Sequence, residues 1–190
     1  EITSFMRMTN REYDSEHNIE NQMIFTYTKE GGQLVDIQEI RSIGYHSSGT
    51  AIKQIVASYA SGETLPQDIE SLAGYNVELL DIKVIVNSNI DTKGNVGKTE
   101  IIRYSDGTIL ENGVGAIVPT PGSEIDKQTI ETTQFDIRGN ALKQSITREY
   151  FDTEISDFAF SEKQEIINEA YSFHDRTSGS TIYYYNSTVV

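Results

Sequence analysis

The side chains best suited to acid–base or metal chemistry near neutral pH are three histidines, His17, His46 and His174. His46 adjoins Ser47 and Ser48 in "GYHSSGT". A serine nucleophile, however, needs a base in line and an elbow that presents it. The chain has no GxSxG, and sequence neighbours in a turn do not reach triad geometry. The histidines show neither HExxH nor any other paired spacing. With no cysteine in the chain, thiolate nucleophiles, disulfides and Cys-ligated zinc or iron–sulfur are excluded. The 29 acidic residues could supply the carboxylate pair of a glycosidase, but no two stand out. Asp-x-x-Gly segments could place oxygens around calcium, yet neither EF-hand nor nonapeptide spacing occurs. "GNVG" lacks the Lys-Ser/Thr of a phosphate loop. Tyr183, Tyr184 and Tyr185 could form a sugar platform. In a strand, though, Tyr183 and Tyr185 share one face and Tyr184 takes the other, which favours cross-strand packing. The expectation is a chain that is not an enzyme, with no cofactor and no metal.

The elements that carry these residues are turns between strands. "YDSEHNIENQ", "YHSSGTAIKQ", "IDTKGNVGKT" and "FDIRGNALKQ" begin at positions 13, 45, 90 and 135. Such spacings fall within the roughly 20–50 residues of repeat architectures. Aligned, they place Asp14, His46, Asp91 and Asp136 together. Three residues on stand His17, Gly49, Gly94 and Gly139. Asp at the first position of a type I turn accepts from backbone N–H groups ahead of it. Gly at the fourth takes positive φ and closes a hairpin with a G1-type bulge. His17 breaks the pattern, and Asn18 is expected to take the left-handed conformation there. Asp14, Gly49, Asp91, Gly94, Asp136 and Gly139 are thus read as structural turn residues. The flanks "VIVNSNI" and "TIETTQF" are β-branched, and Val96–Tyr104 alternates with period two, as strands do.

Between hairpins, Pro66–Leu72 reads as a short helical turn, and "GVGAIVPTPGSEID" as a Gly/Pro loop. "YSDGT" at Tyr104–Thr108 reads as a further hairpin, with "TILENGVGAIV" returning. "SEKQEIINEAYSF", Ser161–Phe173, has capping-box spacing at Ser161 and Gln164. Its narrow apolar stripe at Ile166, Ile167 and Ala170 predicts one helix over 161–172. "GSTIYYYNSTVV" reads as a final strand.

The formal net charge of -14 repels phosphate backbones and anionic bilayers, so nucleic acid is not an expected partner. No apolar run approaches the roughly 18 residues of a spanning helix, so membrane insertion is not expected. No basic segment precedes an apolar stretch at Glu1, so no signal peptide is expected, and the chain reads as processed or as a fragment of a longer one.

The pattern strand–Tyr/Phe–Asp–x–x–Gly–strand in an acidic, polar chain resembles the YD-repeat (Rhs-type) proteins of bacterial surfaces and secreted toxins. Tyr13-Asp14, Tyr45 with Gly49, Asp91 with Gly94, and Phe135-Asp136 with Gly139 carry the resemblance. It covers the hairpin cores, well under half the chain. Thr50, Asn95 and Asn140 follow the turn glycine where that family usually has Arg-Leu. The resemblance implies an extended β assembly without catalytic residues in its repeats.

The expected fold is all-β: antiparallel β-hairpin repeats in an extended or stacked sheet, with one short helix near the C-terminus. Residues 1–190 form one module, with hairpins centred near 14–18, 46–50, 91–95 and 136–140. The expected role is non-catalytic: a scaffold module of a large bacterial surface or secreted repeat protein, extracellular or at the cell surface, with neighbouring repeats as partners. The alternative is an adhesive module that binds a glycan or another surface ligand.

Overall fold

The computed structural model describes residues 4–61, 65, 72, 74–109 and 117–186. Among these residues twelve strands run in chain order: β1 (Phe5–Tyr13), β2 (Ile19–Tyr27), β3 (Leu34–Tyr45), β4 (Ala51–Ser61), β5 (Val77–Ile90), β6 (Val96–Tyr104), β7 (Gly107–Ile109), β8 (Ile117–Pro119), β9 (Glu124–Phe135), β10 (Ala141–Asp152), β11 (Asp157–Asn168) and β12 (Ser180–Tyr185). Ten of them make one antiparallel sheet in the order β1-β2-β3-β4-β5-β6-β9-β10-β11-β12; β7 and β8 pair separately. The fold is all-β, as the alternating β-branched segments predict.

The described residues contain no helix, which corrects the expectation over 161–172. Ser161–Asn168 belongs to β11. It is paired on one side with β10, from Lys143 opposite Ile167 to Arg148 opposite Glu162, and on the other with β12. Ser161, read as a helix cap, is the bulged residue between Glu162 and Phe160. The segment's adjacent isoleucines, Ile166 and Ile167, fit a narrow 3.6-residue stripe better than a two-residue alternation. A strand on each side completes its backbone hydrogen bonds, and adjacent β-branched Ile166 and Ile167 suit a pleat. Packing context overrides weak helix propensity. The helical turn expected at Pro66–Leu72 lies outside the described residues except at its last position. The tight turn expected at Tyr104–Thr108 is not formed: the segment runs from β6 into β7, with Ser105 N–H donating to Ser123 O at 2.8 Å, and the hairpin arms are β7 and β8, Gly107 opposite Pro119. Pro119 ends its strand in a ladder at whose margin a missing N–H costs little.

Apolar packing is concentrated on one face of β2–β5. Met23, Phe25, Ile37, Ala57 and Ile82 are wholly buried there, joined by Ile55, Tyr59 and Tyr27. Leu65 and Ile117, from the two longest connections, close over them. β7 approaches so closely that a Cβ on Gly107 would lie 2.7 Å from the Val118 carbonyl oxygen and would strike Ile82. Further along, the same face turns polar. Lys127 pairs with Glu149 at 3.1 Å and lies over the Phe158 ring, and Lys163 pairs with Glu165 at 2.9 Å. A chain with 37% hydrophobic residues covers part of so wide a sheet with a core and leaves the rest solvated.

The register is uniform. Within hairpins, Asn10 faces Gln22, Ser42 faces Gln54, Asn87 faces Thr99 and Asn168 faces Ser180. Between hairpins, Gln22 faces Ile40, Gln54 faces Ile85, Thr99 faces Ile130 and Gln144 faces Ile166. Each of these partners stands at one fixed distance from its own turn. All the hairpin turns therefore fall along one end of the sheet, side by side.

Candidate functional site, a row of turns along one end of the sheet

Two backbone bonds close each turn. The N–H of Asp14 donates to Asn18 O at 3.0 Å, and the equivalent bonds run from His46 to Thr50, Asp91 to Asn95 and Asp136 to Asn140. The N–H three residues on donates back: His17 to Asp14 O at 3.1 Å, Gly49 to His46 O at 2.8 Å, Gly94 to Asp91 O at 3.0 Å and Gly139 to Asp136 O at 3.1 Å. The fourth residue has positive φ in every case, 83° at Gly49, 90° at Gly94 and 89° at Gly139. In the first turn His17 itself takes it, at 67°, which corrects the assignment to Asn18.

The aspartates organise the turns. One carboxylate oxygen of Asp91 accepts from the N–H of Lys93 at 2.8 Å and of Asn95 at 2.9 Å. The other accepts from the Asn95 side-chain amide at 2.8 Å. Asp14 and Asp136 hold Asn18 and Asn140 in the same way. The asparagine amide, aided by the backbone donors, holds all three carboxyl groups below the usual aspartate range. In the second turn, His46 Nδ1 replaces the carboxylate oxygen and receives the Ser48 N–H at 3.3 Å. Its contact with Ser48 Oγ, at 2.9 Å, lies in this exposed turn, and Ser48 Oγ donates onward to Thr50 Oγ1 at 3.1 Å. The histidine–serine pair is turn architecture.

A fifth turn has no counterpart among the sequence expectations. Ser172 N–H donates to Arg176 O at 2.8 Å and Asp175 N–H to Ser172 O at 3.1 Å. Asp175 has φ of 55°, and Tyr171 bridges Thr177. Ser172 and Asp175 thus occupy the Asp and Gly positions. The polar pair that flanks each turn was the available signal: Asn168 and Ser180 bond at 2.6 Å, as Asn10 and Gln22 do at 2.7 Å and Asn87 and Thr99 at 2.9 Å.

Neighbouring turns are tied together. The Tyr45 hydroxyl donates to Ile19 O, just past the first turn. Tyr171 hydroxyl, at 2.9 Å, and Asn168 amide, at 2.7 Å, reach Ala141 O, the equivalent atom of the fourth turn. Asn87 reaches Ala51 O at 3.0 Å. Thr50 Oγ1 donates to Gly94 O at 3.2 Å, and Lys93 Nζ to Ile137 O at 3.4 Å. Arg138 donates to Ser172 O at 2.6 Å and Phe173 O at 3.1 Å and pairs with Asp175 at 2.9 Å. Tyr45 and Tyr171, the residues before the second and fifth turns, thus tie their turns to the preceding ones.

Below the first two turns lies a buried charge cluster. Arg41 is fully buried; its Nε donates to Glu39 Oε1 at 2.9 Å, and its Nη1 pairs with Glu12 at 3.2 Å. Arg11 pairs with the same Glu39 oxygen and donates to Asn21 Oδ1 at 3.2 Å. Tyr59 donates to Glu39 Oε2 at 3.3 Å. Burial, with that carboxylate alongside, pushes the Tyr59 hydroxyl well above the usual phenol range. Each charge is met by opposite charge or a donor, so the cluster can fix the β1–β4 register.

Among the described residues no three histidine, aspartate or glutamate side chains are placed to hold a metal ion. Tyr185 donates to Glu165 at 3.1 Å under the Lys163 ammonium, while Tyr183 and Tyr184 stay half or more exposed on opposite faces. No family model matches the sequence, and neither a curated protein nor a solved structure matches it.

Proposed function

We propose that the chain is a non-catalytic scaffold built from copies of one hairpin unit, part of a large bacterial surface or secreted protein of the YD-repeat type. One observation carries the reading: all four junctions between successive hairpins share one register, each reinforced by side-chain ties to the neighbouring turn. In such an assembly side chains in and beside the turns link units, the aspartates of three turns close them, and the turn residues serve the fold. The strands then form an extended wall whose length is set by the number of units.

Removal of the last hairpin tests this. A repeat wall ending at Asp152 keeps its β-sheet circular dichroism and unfolds cooperatively, with a denaturant slope reduced by about one fifth, because m follows exposed surface and stability sums over units. A shortened chain that loses its sheet signal refutes the reading.

A second reading, an adhesive glycan-binding module, is favoured by a depression of about 360 Å³ on the polar part of the sheet, lined by Asp126, Gln128, Arg148 and Tyr150 among others. Tyr150, half exposed, offers a ring face beside amide and guanidinium donors. Glycan-array binding that disappears in Tyr150→Ala supports this role, and an array without signal removes it.

A further inference from the structure

The two outer edges of the large sheet are complementary to each other in the register that joins the hairpins inside it. Among the described residues no strand lies outside β1 or β12. At every internal junction the residue eight positions after the first turn position faces an isoleucine six before the next: Gln22 and Ile40, Gln54 and Ile85, Thr99 and Ile130, Gln144 and Ile166. At the edges the corresponding residues are Ser180 on β12 and Met8 on β1. The neighbouring pairs of that register place Ile182 opposite Met6 and Tyr183 opposite Phe5.

Exposure follows the same positions. Ile40, Ile85, Ile130 and Ile166 are each partly covered by a lateral strand. Their edge counterpart Met8 is 59% exposed, with Met6 at 56% and Ile182 at 43%. The tie is also divided between the edges. Tyr13, 53% exposed, holds the position from which Tyr45 and Tyr171 reach back to Ile19 O and Ala141 O. Thr177 supplies the equivalent carbonyl at the far edge.

From this we infer that a second copy of the chain adds to the sheet head to tail. The outer edge of β1 in one molecule pairs antiparallel with β12 of the next, Met8 opposite Ser180, with the Tyr13 hydroxyl donating to the Thr177 carbonyl. Such a contact is heterologous, so it propagates as an open series. The net charge of -14 on each molecule opposes it, and added salt strengthens it. The inference extends the repeat reading but can fail separately: a monomeric chain that passes the truncation test leaves the scaffold intact and removes only this contact.

Thiol trapping tests it. The chain has no cysteine, so only introduced thiols react. Met8→Cys and Ser180→Cys proteins are mixed in high salt under mild oxidation. Directly opposed residues have Cα atoms about 4.5–5.5 Å apart, within disulfide reach. Expected is a mixed dimer formed at least about tenfold faster than in a Met8→Cys and Tyr184→Cys mixture, whose thiols are about 13 Å out of register. Equal rates in the two mixtures, or fastest linkage of Met8→Cys with itself, overturn the inference. Sedimentation supplies a second reading without thiols. Wild-type mass rises with concentration in high salt, and Met8→Lys, a charged edge residue, stays at one chain. A wild-type protein that remains one chain at millimolar concentration overturns it too.

Discussion

Alanine at two turn glycines separates backbone strain from crowding between turns. Gly49 and Gly139 share nearly the same φ, 83° and 89°. A Cβ on Gly49 meets nothing within 4 Å, whereas one on Gly139 runs into the side-chain oxygen of Asn95 in the neighbouring turn. The left-handed conformation costs a non-glycine residue about 1–2 kcal/mol. Gly49→Ala therefore lowers Tm by roughly 2–8 °C, at about 2–4 °C per kcal/mol for a chain of this size. Gly139→Ala carries the same strain and must also displace Asn95, whose amide is held by Asp91 at 2.8 Å. Losing that bond adds about 1 kcal/mol. Asn95→Ala removes the obstruction, so the added cost disappears in the double variant. Thermal denaturation of the four single and double variants, read as a double-mutant cycle, checks this. Equal losses at Gly49 and Gly139, with no coupling to Asn95, refute the claim that the turns pack against one another.

Replacing Glu39 by Ala leaves Arg41 and Arg11 without their shared carboxylate, and chemical denaturation should show a loss of about 3–5 kcal/mol. Tyr45→Phe removes the tie to Ile19 O and costs about 0.5–1.5 kcal/mol. Tyr171→Phe costs less, because Asn168 also serves Ala141 O; Tm values of the two variants give the order. Asp14, Asp91 and Asp136 carry carboxyl groups lowered from the usual 3.8 by their turn bonds. Their contribution is complete above that value and is lost as pH falls below it through the lowered range. Tm measured across that acid range falls less steeply in Asp91→Asn than in the wild type.

Much of the sheet was legible because strand ends and turns are local. Asp91 and Gly94 announce a turn by type and spacing, and the β-branched run before them announces a strand. His46 was placed correctly by alignment, although its ring nitrogen stands in for a carboxylate oxygen. The fifth turn escaped because Ser172 and Asp175 reproduce the geometry with different residues, and the helix expected over 161–172 claimed its first residue. Asn95 and Asn140 marked a departure from the YD pattern when read alone; in three dimensions they clamp the aspartate four residues earlier. The Arg11–Glu39–Arg41 cluster was invisible because Arg11 on β1 meets Glu39 and Arg41 on β3 across the strand between them.

The turn row has a counterpart at the opposite end of the sheet, where the connections differ greatly in length. β2 and β3 are joined across 28–33, β4 and β5 across 62–76, β6 and β9 across 105–123, and β10 and β11 across 153–156. The turns at one margin are thus uniform in length, and the connections at the other are not. Register keeps step with the turn row, so the differing lengths at the opposite margin do not shift any strand against its neighbour. The unequal spacing of the turn motifs along the chain follows directly. A foreign peptide could be carried at 153–156, whose residues are exposed, with the ladder beneath it unaltered.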